Sequence, residues 1–146
     1  MSLSVWESNG WIEVHKTSPR EIADQLALAD RDIHDSQVHA LSPEWQLSIA
    51  YNAALRCATA ALYASGFRAK RERHHERTIQ SLSLTMESDR DTINTLDSFR
   101  QLRTTSDYDH VGVVSKKQAQ EMLEIAIDLR ARVEQWLRKY HADLLQ

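Results

Sequence analysis

Apolar positions along this chain recur at spacings of three and four rather than two, the period of amphipathic helices and not of half-buried strands. The first clear start is Ser18-Pro19-Arg20-Glu21: a serine to cap, a proline suited to the first helical position, and a glutamate at the reciprocal position of a capping box. Ile22, Leu26, Ala29 and Ile33 then fall on one stripe, and this first helix should end before Pro43. Ser42-Pro43 repeats the opening. A second helix reads from about Glu44 to Ser65, with Leu47, Ala50, Tyr51, Ala54, Ala58, Ala61 and Leu62 on a broad face rich in alanine. Small side chains let neighbouring backbones approach closely, so this is the predicted central helix, and Gly66 supplies its left-handed stop. A third helix over about His74 to Met86 uses Thr78, Ile79, Leu82 and Met86, and a fourth over about Asp91 to Arg103 uses Ile93, Leu96 and Phe99. After a polar loop from Thr104 to Val114, Ser115 and Gln118 mark another capping box. The fifth helix carries the longest stripe, from Ala119 and Met122 through Leu129 and Val133 to Leu137 and Tyr140.

Five helices with short connections predict an all-α fold, an antiparallel up-and-down bundle. Residues 1–17 are set apart as an N-terminal arm or short helix in which Trp6 and Trp11 pack onto the body, and residues 18–146 form the bundle. Composition agrees: 3 Gly and 2 Pro among 146 residues leave few turn-formers, which argues against a β-sandwich, a β-barrel or a Gly-rich phosphate-binding α/β fold. No apolar run approaches the roughly 18 residues of a membrane span, and Glu7, Asn9 and Glu13 interrupt any signal-like segment. The expectation is a soluble, cytoplasmic protein with no membrane contact. A lone Cys57 excludes an internal disulfide and reads as a buried small hydrophobe. A formal charge of -3 gives no global basic field, so nucleic acid would have to meet a local patch.

The most polar stretch between helices, Leu102 to Gly112, is where chemistry is expected. Arg103 ends the fourth helix with a permanent cation that can grip a phosphate at two points, and His110 titrates near neutral pH and can move a proton. Such a pair suffices for RNA cleavage without a metal: the imidazole takes the 2'-hydroxyl proton while the guanidinium stabilises the crowded phosphorus centre. Asp107 and Tyr108 would shape the loop. A second feature is Phe67 to Arg77, where five cations against two carboxylates give a local charge of about +3. Arg68, Lys70 and Arg71 are the candidates there for contacting a phosphate backbone; the alternative is a solvated helix start laced with Glu/Arg pairs. No metal site and no cofactor are expected. His74 and His75 are adjacent, so on a helix they point about 100° apart and do not converge on one ion.

Several stretches together resemble the HEPN domain, most closely its small standalone prokaryotic members: Tyr51-Asn52-Ala53-Ala54-Leu55, Ala60 through Gly66-Phe67-Arg68, His75, Arg103 through Tyr108-Asp109-His110, and Ser115 with Ala119, Glu121 and Ala126 before Trp136. The resemblance covers about residues 19 to 140 and implies an all-α bundle that pairs as a homodimer. Many members of that family have an Arg followed, after four to six residues, by a His, and in active members the two motifs face each other across the dimer cleft as a metal-independent endoribonuclease. By position Arg103 would be the family Arg and His110 the family His. The resemblance further implies a toxin encoded beside a nucleotidyltransferase antitoxin. Thr104 stands where active members carry Asn, Asp or His, which motivates an alternative: an inactive bundle that binds a nucleotidyltransferase or a nucleotide.

Overall fold

The computed structural model describes residues 1–108 and 112–145, the side chains of 105–108 excepted. A short helix α1 (Leu3–Ser8) leads to strand β1 (Ile12–Val14), then α2 (Pro19–Asp35) and α3 (Pro43–Ala64). Strand β2 (Phe67–Ala69) follows, then α4 (His74–Gln80), α5 (Leu82–Thr85), α6 (Arg90–Tyr108) and α7 (Lys116–Tyr140), and a 3-10 turn over Ala142–Leu145. The fold is an all-α bundle carrying one small antiparallel ladder, with Ile12 opposite Ala69, Glu13 opposite Arg68 and Val14 opposite Phe67.

The start signals act as the sequence predicts. Ser18, Ser42 and Ser115 each accept a hydrogen bond from the backbone N–H three residues on, removing one of the unsatisfied donors that open every helix. Only the third is a full capping box, because Gln118 reaches back to the Ser115 N–H at 2.9 Å. Glu21 turns elsewhere: its carboxylate accepts from Thr17 Oγ1 and meets His15 Nε2, both at 2.7 Å, and so ties the arm to α2.

Helix α3 is the central element. It packs against α2 and α7 along its length and against α4, α5 and α6 on another side. Ala50, Ala53, Ala54, Ala58, Ala60 and Ala61 are all buried, which is what allows helices to close on it from several directions. Leu47 and Cys57 share this core with Ile22 and Leu26 of α2 and Met122, Ala126, Val133 and Leu137 of α7. Burial pushes the Cys57 thiol up to about 12, so it is an inert hydrophobe. Arg130 of α7 grips Asp30 of α2 with two hydrogen bonds of 2.8 and 3.1 Å, fixing how those helices register.

Two expectations on the helices need correction. The third helix is two pieces, broken at the fully buried Ser81, whose hydroxyl donates to the Thr78 carbonyl at 2.6 Å while Thr78 donates to His74 at 2.7 Å. Side chains competing for main-chain acceptors explain the interruption. The fourth helix does not stop at Arg103 but continues to Tyr108, so Thr104–Tyr108 is helix rather than loop. In the arm, Trp6 and Trp11 meet edge to face at 5.5 Å and form a second apolar cluster with Ile12, Leu62 and Ala69.

Candidate functional site

Helix α6 carries Leu96, Phe99 and Arg103 at spacings of three and four, so the guanidinium occupies a place on the stripe where the buried face would otherwise continue. It lies over the Tyr51 ring of α3, its Cζ 5.4 Å from the ring centroid, a cation–π arrangement. Helix α4 repeats the device. His75 and Ile79 share one face, and the His75 imidazole, half-buried, stands 6.2 Å from the same Tyr51 ring. One aromatic ring therefore touches polar groups from two other helices.

Two further charged groups frame this cluster. Arg100, one turn before Arg103, donates to Asp97 at 2.8 Å, and Asp97 also accepts from Gln101 at 3.0 Å. Arg73, which enters α4 with a left-handed φ of 53°, holds Glu76 through bonds of 2.7 and 3.0 Å. Burial, followed by the charges of Arg103, His74 and Arg100, pushes the His75 imidazole below its ordinary range, so it stays neutral at pH 7. Burial also drives the Tyr51 hydroxyl far above its usual range, with Arg103, Arg100 and Asp97 the charges that act on it. The hydroxyl is thus a neutral group within reach of the charges of α6. It is fully buried and has no hydrogen-bond partner among the described residues.

The family model for the HEPN domain matches residues 24–136, which runs from within α2 to near the end of α7 and takes in Tyr51, His75 and Arg103. The chain belongs to the HEPN family. No curated protein matches it.

Of the candidate site residues, Arg103 is set in the cluster just described. His110 lies outside the described residues, and of Asp107 and Tyr108 only the backbone is described, which puts Asp107 one helical turn beyond Arg103. Arg68 sits on β2 and pairs with Glu13 across the ladder at 2.7 Å. Arg77 stacks on Trp11 at 4.1 Å, and Arg73 is held by Glu76. Three cations of the basic segment therefore have partners, while Lys70 and Arg71 are exposed beside Glu72. Tyr51, Arg100 and His75 were not singled out for a role from the sequence. The signal was there: each of Tyr51, His75 and Arg103 is a polar or aromatic interruption at a stripe position of its own helix. Among the described residues no group of three His, Cys, Asp or Glu side chains stands close enough to hold a metal ion, and no helix is long and apolar enough to cross a membrane.

Two stability effects follow from this geometry. Tyr51→Phe removes a buried hydroxyl that lacks a partner and should raise the unfolding free energy by about 1 kcal/mol, read from urea denaturation. The depressed His75 and His74 give the unfolded chain the higher proton affinity at these positions. Stability from them is complete above the ordinary histidine range and is lost as pH falls through their lowered values, so the urea midpoint should drop on acidification below about pH 6.5. A His75→Gln variant should show a shallower drop.

Proposed function

We propose that this HEPN chain is a metal-independent endoribonuclease acting as a homodimer, and that it is the toxin of a toxin–antitoxin pair whose other half is a nucleotidyltransferase. Arg103 is the group that binds the scissile phosphate and His110 the one that moves the proton. The reading is supported most by the setting of Arg103: a guanidinium built into a helix–helix contact of a HEPN domain, flanked by a second cation and backed by an aromatic ring. Such a group is placed to meet an anion, because its contact with the ring sets where the charge sits before any ligand arrives.

In the proposed reaction His110 takes the 2'-hydroxyl proton as that oxygen attacks the adjacent phosphorus. The bond to the 5'-oxygen breaks, and the leaving oxygen takes a proton from the imidazolium of the same or the partner subunit. The products are a cyclic 2',3'-phosphate and a 5'-hydroxyl. Arg103 stabilises the extra negative charge on phosphorus. Asp107 and Tyr108 shape the site, and Arg68, Lys70 and Arg71 assist with the backbone, Arg68 only after release from Glu13.

Expressing the chain alone should arrest growth, and His110→Ala should relieve the arrest; the purified protein should cleave RNA with chelator present. A pure dimer inert towards a panel of RNAs, yet binding a nucleotidyltransferase tightly, would replace this reading with that of a silent partner-binding module.

A further inference from the structure

Tyr51, His75 and Arg103 come from three helices and meet at positions that a bundle built only for stability would fill with aliphatic groups. Tyr51 forms the floor of the cluster, while His75 and Arg103 are half-buried and carry it to the surface. The floor hydroxyl is a buried donor without a partner among the described residues, within electrostatic reach of the charges of α6. A polar group left in that state loses free energy unless a ligand restores its hydrogen bond.

We propose that this cluster is a phosphodiester-binding site in which the Tyr51 hydroxyl donates to a phosphate oxygen, beside Arg103, and His75 takes up a proton as the phosphate enters. The inference rests on RNA being the ligand of the Arg103 site and adds two contacts from α3 and α4, together with a pH sense. The groups facing His75 are Arg103 and Arg100 from α6, Tyr51 from α3, and His74 with the Arg73–Glu76 pair at the start of its own helix. Asp97 is engaged with Arg100. Without a ligand these cations and the burial favour the neutral ring. A phosphodiester cancels part of that field and offers an acceptor to the protonated ring, so binding and proton uptake are linked. A phosphate held by Arg103, whose guanidinium carbon stands 5.4 Å from the Tyr51 ring centroid, comes to rest beside that ring.

The test uses a 2'-O-methyl RNA of about ten nucleotides, which lacks the attacking hydroxyl, measured by anisotropy at constant salt between about pH 8 and about pH 6. Affinity should rise as pH falls, approaching tenfold for each unit by which the ligand raises the His75 titration. The His75 ring signals in NMR spectra should titrate at higher pH with the oligonucleotide bound. His75→Gln should lose this share of the pH dependence while still binding at about pH 8, and Tyr51→Phe should weaken binding several-fold at every pH. An oligonucleotide that binds while the His75 titration stays put, or a His75→Gln protein with undiminished pH dependence, overturns the inference and leaves RNA binding standing. Failure of the wild-type protein to bind the oligonucleotide at low salt overturns the RNA reading and this inference with it.

Discussion

Arg103→Lys is expected to lower RNA cleavage by roughly 10²- to 10³-fold while leaving helix content and unfolding midpoint near the wild-type values. The substitution keeps the charge, so it isolates shape. A guanidinium presents a planar fork to two phosphate oxygens and makes a cation–π contact with Tyr51; an ammonium is a point charge on a flexible stem that does neither as well. Since Arg103 is half-buried at a helix contact, lysine can occupy the same channel without stranding a charge. Cleavage within a few-fold of wild type would reduce Arg103 to a source of positive field. Arg103→Ala should fall at least as far, and the comparison of the two separates fork geometry from charge.

The second large effect lies in the alanine face of α3. Ala54→Leu inserts three carbons where the side chain is already 2% exposed and should cost about 2 kcal/mol by urea denaturation. Leu47→Ala, in the same helix and fully buried, should cost about 3 kcal/mol for the opposite reason, a cavity that neighbouring helices close only in part. If Ala54→Leu were tolerated without loss, α3 would not be packed tightly on that side and the reason given for its composition would be wrong.

Helix starts were legible because capping is local chemistry: Ser18-Pro19, Ser42-Pro43 and Ser115 each announce a helix within four residues. The end of α6 was not. Thr104, Thr105, Ser106 and Asp107 look like loop residues, yet a few tenths of a kcal/mol each in poor propensity is less than the cost of halting without a stop signal. Thr104 donates its hydroxyl to the Arg100 carbonyl at 3.1 Å without interrupting the helix, and after Arg90 the first glycine is Gly112, with φ +83°. The two strands escaped notice because three residues carry almost no periodic signal and their partner is distant in sequence.

Within the site, Arg103 stands out because a cation beside a polar stretch is a local feature. His75 and Tyr51 do not, because an imidazole next to His74 suggests only a metal ligand that helix geometry rules out, and a tyrosine on an apolar stripe reads as core. Their meaning depends on which ring faces which guanidinium, and that is decided only when α3, α4 and α6 are brought together.

The β1–β2 ladder joins Glu13 to Arg68, 55 positions apart, and encloses all of α2 and α3 in the loop it closes. Closing so long a loop carries an entropic penalty that a ladder of this length repays only after α2 and α3 have already docked. The arm is therefore expected to assemble late, on a finished hairpin of helices, and to be the part that peels away without melting the rest. Amide protons of the ladder would exchange with deuterium through that partial opening, well before those at the middle of α3.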